Sequence, residues 1–126
     1  MAEKSLIKEK SYAFALNIIE LYKLLNLQNE YVMSKQLLRS GTSIGANVEE
    51  ALAGQSRPDF LSKMSIASKE AREANYWLRL LRDSKIVDKK LLDRLLVESD
   101  ELVRILTAIV KTTGCDIKTK RSKRQV

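Results

Sequence analysis

Histidine is missing from the chain, and the residues that usually interrupt regular structure are scarce: one Pro and four Gly in 126 residues. Each shortage removes an explanation. Without histidine the commonest general base and the commonest transition-metal ligand are gone. The paired Glu-x-x-His motifs that hold di-iron centres inside helical bundles cannot form. The lone Cys115 makes an intrachain disulfide impossible and suits a reducing cytoplasm. It reads as a free thiol just past a helix end, with nothing nearby in sequence to activate it. No apolar run reaches the roughly 20 residues of a membrane span. The opening MAEKSLIKEK lacks the apolar segment of a secretory signal. A cytoplasmic protein without a membrane partner is expected.

What remains is a helix-forming mixture of Leu, Ala, Lys, Arg and Glu with 44% hydrophobic residues, enough for the core of one domain. The apolar spacing predicts four helices. The first runs from about residue 4 to 26, with Ile7, Phe14, Ile18, Leu21 and Leu25 on one face. The second runs from about 31 to 53 and buries Met33, Leu37, Ile44, Val48 and Ala51. Its apolar phase continues through Gly41 and Gly45, two interior glycines that cost about 2 kcal/mol relative to alanine. Small residues four apart let another helix approach closely, so continuity is favoured over a break near Gly41. The same SGTSIG stretch lacks the spacing and the lysine of a phosphate-cradling P-loop.

Ser56, Pro58 and Asp59 read as a capped start for the third helix, which continues to about Ser84. Its inner stripe is Phe60, Met64, Ala67, Ala71, Ala74, Leu78 and Leu81. Asp88 is the expected cap of the fourth helix, with Leu91, Leu92, Leu95, Leu102, Leu106 and Ile109 inside. Gly114 is its expected left-handed end. Four such helices with short links make an all-α, antiparallel up-down-up-down four-helix bundle over residues 1–114. Residues 115–126 are expected to be a disordered basic tail.

Net charge is +7, of which +4 lies in that tail: Lys118, Lys120, Arg121, Lys123 and Arg124 against Asp116. This excess favours polyanions, nucleic acid above all, although it also improves solubility. On the third helix Lys69, Arg72, Tyr76 and Arg79 fall within a sector of about 80°. Basic side chains beside an aromatic can grip phosphates while stacking a base; a solvated face with local ion pairs is the plainer reading. Two further features exceed one core. Tyr12, Leu16 and Ile19 form a second apolar strip on the first helix, and Ile66, Trp77 and Leu80 do the same on the third. Self-association explains both strips, with padding at the edges of one core as the alternative. Glu49 with Glu50, and Glu70 with Glu73, are the only tempting carboxylate pairs. They lie on or beside polar faces, which points to ion pairing rather than catalysis. Serines abound without a base to activate them.

Taken together, YVMSKQLLRSGTSIGANVEEALAGQS and DFLSKMSIASKEAREANYWLRLL resemble the proteins encoded within intervening sequences of bacterial 23S ribosomal RNA genes. The resemblance extends from KSYAFALNIIELYKLL to about Thr113. It rests on the SGTSIGAN and KEAREANYWLRLL blocks in that order. It implies an antiparallel four-helix bundle and assembly into rings of five. It also implies kinship with accessory proteins that associate with a reverse transcriptase and nucleic acid. It supplies no catalytic residue. The expectation is a non-enzymatic homo-oligomer that binds RNA or a nucleoprotein and has no metal, cofactor or small-molecule substrate. A protein-only scaffold is the alternative.

Overall fold

The computed structural model describes residues 2–87 and 89–125, and the side chains of 6–87 and 89–123. Four helices follow one another: α1 (Ala2–Leu27), α2 (Val32–Leu52), α3 (Arg57–Ser84) and α4 (Lys89–Gln125), with no strand among the described residues. Each helix packs on the next, α4 closes back on α1, and the backbones of the diagonal pairs do not approach closely. The result is an all-α four-helix bundle whose consecutive helices run antiparallel.

The ends of the helices have local causes. Asn29 adopts φ 61°, and beyond Leu27 the Glu30 N–H donates to the Leu25 carbonyl (2.9 Å) and the Asn29 N–H to that of Asn26 (3.0 Å). This is a Schellman closure with asparagine in the left-handed position. Glu30 then accepts from the Met33 N–H (3.0 Å) at the start of α2. Ser56 caps α3 by accepting from the Asp59 N–H (3.1 Å), with Pro58 in the first turn, and Lys85 ends it at φ 59°. The cap expected at Asp88 lies outside the described residues.

The predicted stripes meet in one core. Ile7, Phe14, Ile18, Leu21 and Leu25 of α1 are buried against Leu37, Ile44 and Val48 of α2, the whole α3 stripe, and Leu92, Leu95, Leu102, Leu106 and Ile109 of α4. Met33 and Leu91 are only half-buried, and Leu96 joins the core instead. Polar side chains fix the register across the middle of α4. Asn17 of α1 donates to Glu98 (2.8 Å), while Asn75 of α3 donates to Ser99 and Asp100 (2.9 Å each).

α2 runs straight through Gly41 and Gly45, and neither has a positive φ. The two glycines differ. A Cβ at Gly41 would lie 2.8 Å from Cγ1 and 2.9 Å from Cγ2 of Ile18, whereas at Gly45 the nearest atoms are those of Ser11 at 3.5 Å. Gly41 therefore marks the close approach of α1 and α2, and Gly45 has room for a methyl group.

One expectation fails. Gly114 is not a helix end: it has no left-handed backbone, and α4 continues for eleven more residues to Gln125. The expected disordered tail is the last three turns of a 37-residue helix, about 55 Å long at 1.5 Å per residue. The packing does stop near Gly114. Along the core stripe of α4, Leu102, Leu106, Ile109 and Thr113 are buried, Ile117 is half-buried and Lys120 is exposed. The sequence boundary marks where α4 leaves the core while its backbone stays helical.

Replacing Gly41 with alanine should destabilise the bundle by about 1–3 kcal/mol through overpacking against Ile18. The same change at Gly45 should be neutral or stabilise by up to about 1 kcal/mol through helix propensity. Urea unfolding of both variants at matched protein concentration checks this. Equal responses would remove the distinction between the two sites.

Candidate nucleic-acid interface

Lys69, Arg72, Tyr76 and Arg79 are all exposed on α3, between its outward face and the side towards α4. Arg72 reaches across the seam and donates to Thr107 Oγ1 (2.9 Å). Arg79 donates to Asn75 Oδ1 (3.0 Å), with its guanidinium carbon 5.8 Å from the centre of the Tyr76 ring. Tyr76 in turn meets Trp77 edge-on at 5.3 Å. The structure thus joins Arg79 to Tyr76, directs Arg72 to α4, and leaves Lys69 without an ion-pair partner among the described residues. Both arginines hydrogen-bond to neutral oxygens, and the charge of Arg79 adds to the Arg82 hydrogen bond in holding the Asp83 carboxyl below its ordinary value.

The other side of α3 behaves differently. Arg39 of α2 forks between Glu70 (3.1 Å) and Glu73, and Glu73 also accepts from the Trp77 indole N–H (3.1 Å). The Glu73 hydrogen bond leads the effects that raise the Arg39 pKa above its ordinary value. Glu50 pairs with Lys63 (3.2 Å). Three of the four carboxylates singled out in the sequence are therefore in ion pairs between α2 and α3, and Glu49 is exposed. Among the described residues no group of three or more His, Cys, Asp or Glu is placed to hold a metal ion.

The two surplus strips also part company. Tyr12 and Leu16 are 61% and 51% exposed, with Ile19 half-buried beside them. Leu6, Leu24 and Leu27 widen the same outward surface of α1, a contribution that the Tyr12–Ile19 spacing does not include. On α3, Ile66 and Leu80 are only 39% and 37% exposed, and Trp77 packs against the bundle's own core with its N–H satisfied. Trp77 belongs more to the α2–α3 seam than to a free surface.

At the end of α4, Lys118, Lys120, Arg121 and Lys123 are exposed, while the side chain of Arg124 lies outside the described atoms. Asp116 is engaged by Arg57 at the start of α3 (2.7 Å). In the sequence Arg57 is simply part of a helix start, because nothing there shows that α4 continues far enough to meet it. Asn75 carries no charge and gives no signal in the sequence; its role is to bridge Arg79 to Ser99 and Asp100. Cys115 is exposed and free. No described helix is long and apolar enough to cross a membrane.

Known proteins resemble this arrangement in sequence and in structure. No curated protein matches the chain. A crystal structure from Bacteroides thetaiotaomicron, of a protein of unknown function from the S23 ribosomal protein family, is 47% identical to it. The two superpose with a TM-score of 0.81 over 86% of this chain and 98% of the other. Residues 3–108 match the family described as "23S rRNA-intervening sequence protein". That match takes in α1, α2, α3 and the first half of α4, and the chain belongs to this family.

Proposed function

We propose that this chain is a non-enzymatic, homo-oligomeric bundle protein of the cytoplasm that binds RNA, alone or within a nucleoprotein, through its cationic surfaces. The observation that carries the reading is the cationic end of α4. Past Ile117 the helix has left the core, and Lys118, Lys120, Arg121 and Lys123 point in four directions around it at 100° per residue. A rod that is positive all round suits a polyanion that surrounds it or lies in a groove. Such contacts neutralise phosphates and carry little sequence information.

Self-association rests on the outward face of α1. Tyr12, Leu16 and Leu27 expose apolar surface on a helix diagonal to α3, whose outward face holds Ile66 and Leu80. Two unlike patches on opposite sides of one subunit favour head-to-tail contact, which closes into a ring when the rotation permits. A ring of five is the form implied by the family resemblance, and repeated weak RNA contacts around it would add through avidity. The same apolar face favours a second reading, a protein-only scaffold with no nucleic-acid role.

Light scattering at micromolar concentration should give a mass several times 14.4 kDa. Tyr12→Glu with Leu16→Glu should reduce it while circular dichroism stays helical. A monomeric wild type would remove the oligomer.

For RNA, the wild type should bind a labelled hairpin with an affinity that falls as salt rises. Truncation after Asp116, which keeps the Arg57 pair, should weaken binding. It should also flatten the slope of log K against log salt by about 0.7 for each phosphate that is no longer neutralised. An oligomer that ignores RNA near physiological salt would leave the scaffold reading.

A further inference from the structure

The hydrogen bond between Arg72 and Thr107 locates two cationic rows that flank the α3–α4 seam. On α4, Thr107 stands between Arg104, three residues before it, and Lys111, four residues after it, so all three share one stripe. Lys118 is two turns further along that stripe. On α3, Lys69 lies one turn before Arg72, which brings it level with Lys111 because the helices are antiparallel. Arg104, Lys111, Lys118 and Lys69 are all exposed, and none has an ion-pair partner among the described residues. Towards the α3–α4 turn Asp100 accepts from Asn75 and Asp83 pairs with Arg82, and at the other end Asp116 pairs with Arg57. Charges of both signs therefore meet near the turn, while the described cations along Arg104, Lys111 and Lys118 stay unpaired.

The cationic row leads into a cleft. Arg57, Pro58, Ile117, Lys120 and Arg121 line a space of about 290 Å³ where the start of α3 meets the departing α4. That is several times the roughly 30 Å³ share of one water in the liquid. One terminal nitrogen of Arg57 is held by Asp116 at 2.7 Å, and a guanidinium carries five N–H donors, so the pair positions Arg57 without exhausting it. The site is made of side chains. In the first turn of α3, Pro58 has no N–H, and the Asp59 and Phe60 N–H groups already bond to Ser56.

We infer that a single RNA strand lies along the α3–α4 seam, with its phosphates running from Arg72 and Arg104, past Lys69 and Lys111, to Arg57 and Arg121 at the cleft. This rests on the RNA-binding reading and gives it a path and a direction. Residues 57 to 72 of α3 alone span about 22 Å at 1.5 Å per residue, which suits an extended polyanion better than a small anion. Arg104 and Lys111 belong to the site although neither stands out in the sequence. Each is one cation among many on a long polar face.

The test compares two double charge reversals in the full-length protein, using a labelled oligouridylate across a salt series. Arg104→Glu with Lys111→Glu alters the seam. Lys8→Glu with Lys35→Glu makes the same change in net charge on α1 and α2, across the bundle from it. Circular dichroism and light scattering verify fold and assembly for both. The seam variant should bind about tenfold or more weakly, with the salt slope reduced by about 0.7 for each phosphate left unneutralised, and the control should stay close to wild type. As a gain-of-function arm, Asp116→Asn removes the one acid paired at the cleft and should raise affinity. Equal weakening in the two double variants, or wild-type affinity in the seam variant, would overturn the path while leaving RNA binding intact. A wild type that binds no RNA would instead overturn the underlying reading.

Discussion

At Gly41, α2 comes so close to α1 that one added carbon would stand 2.8 Å from Ile18, and this approach sets the dimensions of the bundle. A side chain there would push the helices apart, and the buried Ser11, Ser34 and Ser40 along the same seam would lose their packing. α3 repeats the device with Ala67, Ala71 and Ala74 in the middle of its stripe. Small residues at these approaches and fully buried large ones such as Phe14, Met64 and Leu78 beside them fill one core. Glycine inside a helix lowers its intrinsic stability; here tertiary contact offsets that cost.

The tight core leaves function to the surfaces. α1 is apolar on its outward side as well as its inward one, and α4 is longer than the core it joins. Polar pairs at residues 98–100 of α4 fix its register against both neighbours. That register decides which cations flank the α3–α4 seam. With α4 shifted by one residue, Thr107 would no longer face Arg72, and Lys69 would no longer align with Lys111. Packing in the core and charge on the seam are consequences of one geometry.

Much of this is legible in the sequence. Apart from the far end of the fourth, the apolar spacing locates the four helices to within a few residues and names nearly all of the core. The unbroken phase across Gly41 and Gly45 correctly implies one continuous helix. The third-helix cations fall on one face, as their spacing requires. Three features are not legible, each for a physical reason. The end of the packed stripe at Gly114 looks like the end of the helix, but Lys and Arg form helix well without a core to cover them. Trp77 looks like a free anchor, since periodicity cannot show that Glu73 and Arg39 already shelter it. Arg104, Lys111 and Arg57 become visible only once the antiparallel register places them against α3 and the end of α4.

The most direct test of the account uses the native protein. Ultraviolet crosslinking in its own cells, followed by isolation of the oligomer and identification of the crosslinked peptides, reads both the partner and the path. The account predicts RNA attached to peptides from the α3–α4 seam and from the last turns of α4. Native oligomer recovered free of RNA, or crosslinks confined to α1 and α2, would contradict it.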